Sequence, residues 1–142
     1  MNLTKLNNLQ KTVLVIAGSD PSGGAGIQAD LKTLTSFGVY GMTAITALTE
    51  QNSNGVFDIL EIPIDFVVKQ INCCLSDINA NAVKIGMLHS ADLISAVLEA
   101  LFNNNIVSNK NVNIILDPVM VAKGGHKSVS YTHLRAHETH LN

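Results

Sequence analysis

The sequence has 142 residues, of which 46% are hydrophobic and 14% are charged, and its formal net charge at pH 7 is −2. This composition indicates one folded domain with a sizeable core and excludes a disordered chain. It contains no lysine and arginine cluster for a nucleic acid or an acidic membrane surface, and no apolar run near the roughly 20 residues of a membrane span. We therefore expect a cytoplasmic protein that binds small molecules, with neither nucleic acid nor membrane as a partner.

The first predicted elements enclose a glycine-rich loop. A short, β-branched strand is predicted at residues 13–16, as expected of a parallel strand buried on both faces. After the loop of residues 17–26, an amphipathic helix is predicted up to Gly38, a typical stop residue. Its apolar stripe comprises Ile27, Leu31 and Leu34. In α/β proteins, a loop at the carboxyl end of a strand is a common place for a ligand.

Strand and helix patterns alternate along the rest of the chain. Further strands are predicted at residues 39–49, 56–62 (a candidate edge strand), 82–88 and 112–116, with a cluster of turn formers at 50–55. One helix is opened by Pro63 and Asp65, and another is capped by Ser90 and stopped by the three asparagines that begin at Asn103. Their apolar faces comprise Val67, Ile71, Cys74, Leu75 and Ile78 in the first helix, and Leu93, Ile94, Val97, Leu98 and Leu101 in the second. The alternation predicts βαβ units, and hence a mainly parallel sheet with helices on both faces.

Polar and small residues interrupt this pattern where the predicted strands end. They fall in residues 18–20, 49–51, 87–89 and 117–120. Because the carboxyl ends of parallel strands share one edge of the sheet, these four loops should rim one crevice. The pattern predicts a small-molecule site there, although each loop taken singly is equally typical of a surface turn.

The residues alone leave the nature of the ligand open. Residues 24–29 fit the dinucleotide-binding pattern G-x-G-x-x-A, and Glu50 ends the next predicted strand. However, about seven residues separate the first strand from Gly24, which is long for the tight turn of that motif. A Walker A phosphate loop is excluded, because no Gly-Lys-Ser or Gly-Lys-Thr occurs. The only cysteines, Cys73 and Cys74, are adjacent in a predicted helix, and we interpret them as reduced core thiols.

Four segments of the chain together resemble a known family. They are residues 17–33 (AGSDPSGGAGIQADLKT), 45–52 (ITALTEQN), 84–88 (KIGML) and 116–123 (LDPVMVAK). In these segments the chain resembles the hydroxymethylpyrimidine/phosphomethylpyrimidine kinases of thiamine biosynthesis, which have the ribokinase-like fold. The resemblance implies a three-layer α/β/α architecture with a mainly parallel central sheet. It covers roughly residues 12–127, only about the N-terminal half of such an enzyme, so the fold is expected to be truncated.

The resemblance also implies roles for individual residues. The pyrimidine would lie against Gly18, Asp30 would hold the polar edge of the substrate, and Gln51 would hydrogen-bond the ring or its amino group. A glutamine amide is both donor and acceptor, which matches the edge of an aminopyrimidine. Walls around the ring would come from Thr49, Met87 and Val119, with Thr49 standing where family members often have valine. Asp117 would lie in the magnesium and phosphate region.

The implied reaction transfers the γ-phosphoryl group of ATP, with Mg²⁺, to 4-amino-5-hydroxymethyl-2-methylpyrimidine and then to its monophosphate. In the family the anion-hole loop, the catalytic residues and most of the ATP pocket belong to the C-terminal half, so the catalytic residues are not assigned here. The resemblance implies a small-molecule pyrimidine as partner and a homodimer for the full-length enzyme. Two alternatives stay open: a pyridoxal kinase of the same fold, and a half-domain that binds the pyrimidine without catalysis.

The character of the sequence changes after Lys127. Residues 128–142 contain three of the five histidines, and their spacing on a helix would place three imidazoles on one face, as for a metal site. These residues are His133, His137 and His140. The segment also resembles a translated sequencing adapter or linker, which is the interpretation we favour, with no metal site. We therefore expect residues 1–127 to be the N-terminal part of a pyrimidine kinase domain and residues 128–142 to be a non-native tail.

Overall fold

The computed structural model describes residues 10–117, to which the structural statements below refer. The elements in chain order are β1 (Thr12–Ala17), α1 (Gly26–Ser36), β2 (Tyr40–Ile45), β3 (Ala47–Asn52), β4 (Gly55–Glu61), α2 (Ile64–Asp77), β5 (Ala82–Ile85), α3 (Ala91–Asn103) and β6 (Asn113–Leu116). The predictions for Val119, for the three C-terminal histidines and for the tail lie outside the described residues. None of the helices within residues 10–117 has the length and apolar character needed to cross a membrane.

The central sheet is parallel, as the alternating pattern predicts. Its four strands lie in the order β2-β1-β5-β6, so the glycine-rich loop after β1 starts from an interior strand. Successive side chains of β1 point to opposite faces. Val15 packs with Ile27 of α1 on one face, while Leu14 and Ile16 join the main core under α2 and α3 on the other. This arrangement confirms the expected layered α/β fold, with helices on both sides of the sheet.

The helix ends agree with the signals in the sequence. Helix α1 stops just before Gly38, whose φ of +67° is the left-handed conformation that glycine adopts without strain. Ser90 caps α3, with its hydroxyl oxygen accepting a hydrogen bond from the Leu93 N–H at 3.2 Å. Asn104 follows the last residue of α3, so the asparagine run ends that helix as predicted. These local signals hold because capping depends on a few neighbouring residues.

The single strand predicted at residues 39–49 is wrong. The structure divides it into β2 and β3, which belong to different sheets, because Thr46 turns the chain between them. The Thr46 N–H donates to Ala17 O at 3.0 Å, and its carbonyl accepts from Ile62 N at 3.1 Å. Strand β3 then pairs with β4 as an antiparallel hairpin, so the predicted turn cluster is reduced to the residues between Asn52 and Gly55. We call β3 and β4 together the hairpin.

Two predicted core assignments also need correction. On α3, Leu93, Val97 and Leu101 are buried as predicted, but Ile94 and Leu98 are exposed.

The two cysteines, both predicted to be core thiols, differ in burial. Both thiols are free, and Cys74 is half-buried with its S–H directed at Thr43 O, whereas Cys73 is exposed. Burial raises the pKa of the Cys74 thiol, and the neighbouring Cys73 raises it further. Only Cys74 is therefore a core thiol.

Candidate functional site

The glycine-rich loop is closed on itself by the carboxylate of Asp20, which is 3% exposed. This carboxylate accepts hydrogen bonds from the backbone N–H groups of Ser22 (2.9 Å), Gly24 (3.1 Å) and Ala25 (2.8 Å), and from the Ser22 hydroxyl (2.7 Å). Burial raises the pKa of Asp20, but these hydrogen bonds outweigh it and hold the pKa below its ordinary value. Because Asp20 occupies these N–H groups, they do not form an open cradle for a pyrophosphate, which argues against the dinucleotide alternative.

Gly26 lets helix α1 begin directly against the end of β1. Its φ is +56°, and a Cβ at this position would lie 2.4 Å from the carbonyl oxygen of Gly18. The same carbonyl accepts a hydrogen bond from Ile27 N at 2.9 Å. Gln28, in the first turn of the helix, reaches back to the loop by accepting from Asp20 N at 2.8 Å and donating to the Ser19 hydroxyl at 2.7 Å. The helix therefore fixes the position of the Gly18 and Ser19 backbone.

Four of the predicted site residues lie in neighbouring segments at this edge of the sheet. These residues, which we call the hairpin group, are Gly18, Thr49, Gln51 and Met87. A Cβ on Gly18 would lie 2.8 Å from the Met87 Cε, so a side chain at residue 18 would displace the methionine. The hairpin is attached to the β1 loop by a hydrogen bond from Ser19 N to Ala47 O at 2.9 Å. The structure thus brings together three of the four loops that the sequence placed around one crevice.

The hydroxyl of Thr49 orients the polar side of the hairpin group. It lies 2.7 Å from Ser19 O and 3.2 Å from Gln51 Oε1. A hydroxyl has one proton to donate, so it cannot satisfy both oxygens. The shorter contact to Ser19 takes that proton, which leaves the Gln51 amide with hydrogen-bonding capacity for a ligand.

The other two predicted residues within residues 10–117, Asp30 and Asp117, share a partner that the sequence reasoning did not identify. Lys84 of β5 donates to Asp30 at 2.9 and 3.2 Å, and its Nζ is 3.3 Å from Asp117 Oδ2. We call these three residues the Lys84 group. Lys84 is the only charged residue of an otherwise apolar buried strand, and that isolation was the signal that it needs an acidic partner. Asp30 is thus engaged on the α1 face of the sheet, whereas Asp117 is half exposed at the end of β6.

Thr46 and His89 are further polar residues at this edge that were given no role from the sequence. Thr46 is fully buried, and its hydroxyl donates to Met87 O at 3.0 Å, which ties the start of the hairpin to the loop after β5. His89 lies two residues beyond Met87, with Nδ1 3.4 Å from Glu61 Oε1 at the end of β4. Neither ring nitrogen of His89 has a hydrogen-bond partner within residues 10–117. The loop of residues 87–89 was predicted to rim the crevice, but nothing in the sequence showed what its polar groups would contact.

Sequence comparison relates this chain to one enzyme family. A sequence model described as phosphomethylpyrimidine kinase matches residues 20–142. The chain is 49% identical over 112 residues to the hydroxymethylpyrimidine/phosphomethylpyrimidine kinase of Escherichia coli, which covers 79% of this chain and 40% of that protein. It is 50% identical over 117 residues to a putative enzyme of the same name from Schizosaccharomyces pombe, which covers 82% of this chain and 20% of that protein. The chain thus spans less than half the length of these relatives.

Solved structures agree with this relationship. The chain superimposes on a phosphomethylpyrimidine kinase from Clostridium difficile with a TM-score of 0.76 and 44% sequence identity, covering 86% of this chain and 51% of that one. It also superimposes on a pyridoxal kinase from Staphylococcus aureus in complex with pyridoxal, with a TM-score of 0.69 and 39% identity, covering 82% of this chain and 42% of that one. Both similarities lie within the same α/β fold.

Proposed function

The chain belongs to the phosphomethylpyrimidine kinase family, and we propose that it forms the pyrimidine-binding part of a hydroxymethylpyrimidine/phosphomethylpyrimidine kinase. The proposed reaction transfers the γ-phosphoryl group of ATP to the hydroxymethyl oxygen of 4-amino-5-hydroxymethyl-2-methylpyrimidine, and then phosphorylates the monophosphate again. The observation that supports this proposal is the convergence of the hairpin group at the carboxyl edge of a parallel sheet.

The chemistry of the hairpin group suits a flat heteroaromatic ring with a polar edge. Gly18 has no Cβ, so the Met87 thioether can lie directly against its backbone and form one wall for the ring. Met87 offers a polarizable thioether that adapts to the shape of a ring and packs against it favourably. Gln51 offers one donor and one acceptor to the amino group and the adjacent ring nitrogen. Thr49 holds the hairpin to the Ser19 loop, so the Gln51 amide is positioned before the ligand arrives.

The Lys84 group is proposed to serve the phosphate side of the site. Magnesium in kinases is usually held by one or two carboxylates together with phosphate oxygens and water, so the exposed Asp117 fits as a single ligand. Bound ATP would supply the phosphoryl group, and Mg²⁺ would neutralise its negative charge. The resemblance placed Asp30 at the polar edge of the substrate, but its carboxylate is paired with Lys84, so we propose instead that Asp30 acts on the phosphate side by positioning Lys84.

The proposal is tested by substituting Gln51. In calorimetric titrations of the 142-residue chain with the hydroxymethylpyrimidine, Gln51→Ala should weaken binding about 10- to 100-fold, because about 1.4–2.8 kcal/mol is lost when the polar edge of a buried ligand is left unpaired. The matched control is Glu50→Ala, the neighbour on the exposed face of β3, which should leave the affinity unchanged. The assignment fails if the folded wild-type chain does not bind the pyrimidine, or if Gln51→Ala binds as well as wild type.

A second candidate is pyridoxal phosphorylation, favoured by the structural similarity to the pyridoxal kinase from S. aureus. Pyridoxal is also a heteroaromatic ring with a hydroxymethyl group, so the hairpin group alone does not separate the two substrates. Competition of pyridoxal against the pyrimidine in the same titration separates them. Preferential binding of pyridoxal would replace the first proposal.

A further inference from the structure

His89 is a buried side chain whose hydrogen-bonding groups are unused. The side chain is only 10% exposed, and both ring nitrogens are shielded from water without a hydrogen-bond partner within residues 10–117. Nearly all buried polar groups in folded proteins are hydrogen-bonded, so an unpartnered imidazole points to a role. His89 lies two residues after Met87, a member of the hairpin group, and its placement therefore bears on the ring site.

Glu61, the last residue of β4, brings a carboxylate to His89. Its Oε1 lies 3.4 Å from His89 Nδ1, which is a contact but not a well-directed hydrogen bond. A carboxylate only accepts hydrogen bonds, whereas a neutral imidazole has one nitrogen that donates and one that accepts. A protonated imidazole donates from both nitrogens and carries the opposite charge. Protonation of His89 therefore turns this contact into an ion pair.

The other charges on the elements around His89 are opposed, paired or distant. His89 directly precedes the N-cap of α3, and the positive partial charge at that end of a helix disfavours a cation. Asp92 in the first turn of α3 counters this partial charge. Asp65 in the first turn of α2 already forms an ion pair on that helix, and the charged residue of β5 belongs to the Lys84 group. Glu61 is therefore the carboxylate to which a charged His89 responds.

The position of Glu61 in the hairpin gives this contact its consequence. Glu61 pairs with Ala47 at the base of the hairpin, where β3 begins and β4 ends. The β3 side of the base is held by the Thr46 hydroxyl, which donates to Met87 O at 3.0 Å. On the β4 side, the corresponding polar contact is that between Glu61 and His89. Because two strands alone are only marginally stable, the orientation of the hairpin depends on such attachments.

We propose that His89 is a positioning residue of the ring site, an inference that rests on the proposed function. When its imidazole is protonated, the ion pair with Glu61 holds β4 to the loop of residues 87–89, which already holds β3. The hairpin carries Thr49 and Gln51, so this second attachment fixes their position before the ring binds. Ring binding is consequently tighter in mildly acidic than in mildly alkaline solution, over the range of about pH 5–8 in which imidazoles titrate.

The first test is calorimetric titration of the 142-residue chain with the hydroxymethylpyrimidine at pH 5.5 and at pH 8. His89→Gln keeps a polar side chain but cannot become charged. The association constant at pH 5.5 divided by that at pH 8 should be about two- to fivefold larger in wild type than in His89→Gln, the scale of a partly exposed ion pair. Proton uptake by the pyrimidine itself is common to both chains and cancels in this comparison.

Two further variants assign the effect to the ion pair. Glu61→Gln removes the charge that His89 contacts, so its ratio should equal that of His89→Gln. The matched control is Glu50→Gln, which removes the same charge from an exposed position of β3 and should keep the wild-type ratio. Equal ratios in wild type and His89→Gln would overturn the proposal, and so would a Glu61→Gln variant that behaves as wild type.

A second test needs no ligand and separates this proposal from the proposed function. In NMR spectra of the chain alone, the amide resonances of Thr49 and Gln51 should move between pH 5.5 and pH 8 in wild type but not in His89→Gln. If the folded wild-type chain does not bind the pyrimidine, the proposed function fails, and these resonances alone decide. Movement that His89→Gln abolishes supports the positioning of the hairpin by His89, and identical spectra changes in both chains overturn it.

Discussion

Lys84 joins two carboxylates that come from different parts of the chain. Its Nζ contacts Asp30 at 2.9 Å and Asp117 at 3.3 Å, with Lys84 and Asp30 mostly buried. We expect Lys84→Met to lower the free energy of unfolding by about 1 kcal/mol, since both carboxylates then lose their cationic partner. Urea unfolding monitored by circular dichroism measures this change.

The control for Lys84 is a second ion pair of similar length. Lys69 and Asp65 are 2.8 Å apart, but both side chains are largely exposed on α2. Water and salt screen such a pair, so Lys69→Met should destabilise the chain less than Lys84→Met. If the two substitutions cost the same, the partly buried setting of Lys84 has no energetic consequence.

Asp20 makes stability depend on pH. Burial alone would raise the pKa of Asp20, but its hydrogen bonds lower the pKa by more. The pKa is therefore lower in the folded chain than in the unfolded one. The ionised Asp20 carboxylate therefore stabilises the folded chain fully above about pH 4, where this group is ionised in the unfolded chain as well. This stabilisation is lost as the pH falls through the pKa that Asp20 has in the folded chain. Asp20→Asn places an amide against the Gly24 and Ala25 N–H groups and should cost about 1–3 kcal/mol at pH 6.

The difference between Asp20→Asn and wild type should shrink when unfolding is measured at pH 2.5 instead of pH 6. Asp77→Asn removes the same charge at an exposed position and is the control. A difference that does not change with pH would mean that the Asp20 carboxylate contributes only through its shape.

Sequence reasoning at the residue scale succeeded for contacts between strand ends and failed for contacts across layers. Gly18 and Met87 converge because the parallel strands β1 and β5 bring their carboxyl ends to one edge, which periodicity predicts, whereas Thr49 reaches them through the antiparallel hairpin. The pairing of Asp30 with Lys84 crosses from α1 to β5, 54 residues apart, and depends on how the helix sits on the sheet. No local sequence pattern predicts a contact between residues so far apart along the chain.

At the scale of elements, the two glycines that bound α1 should differ in how they tolerate a side chain. Gly26 and Gly38 both have positive φ, but a Cβ on Gly26 would collide with Gly18 O at 2.4 Å, whereas one on Gly38 would meet nothing within 4 Å. Gly38→Ala should cost about 1 kcal/mol from the backbone conformation alone. Gly26→Ala should cost at least about 2 kcal/mol more, because the strand and helix must separate. Equal costs in chemical denaturation would rule out the close approach.

The hairpin shows why one element was misassigned. Residues 39–49 are a continuous run of strand formers, and propensity does not reveal where a strand leaves one sheet for another. The break at Thr46 is determined by partners far along the chain, Ala17 and Ile62, which take up its backbone hydrogen bonds. The helices were predicted well because their caps and stripes are local.

At the scale of the whole molecule, the proposed function assigns ring binding and phosphoryl transfer to different segments of one sheet edge. The hairpin group lies beside β1, and Asp117 follows β6, the last strand of the sheet that residues 10–117 form. Joining residues 1–117 to the remainder of the clostridial kinase should therefore produce turnover, and the 142-residue chain alone should show none. In that chimera, Asp117→Asn should lower kcat at least about 10-fold with little change in KM for the pyrimidine, because its proposed role is on the phosphate side only. Gln51→Ala should instead raise that KM about 10- to 100-fold. If both substitutions lower kcat alone, the two segments act as one catalytic unit, and the division between a binding part and a transfer part is wrong.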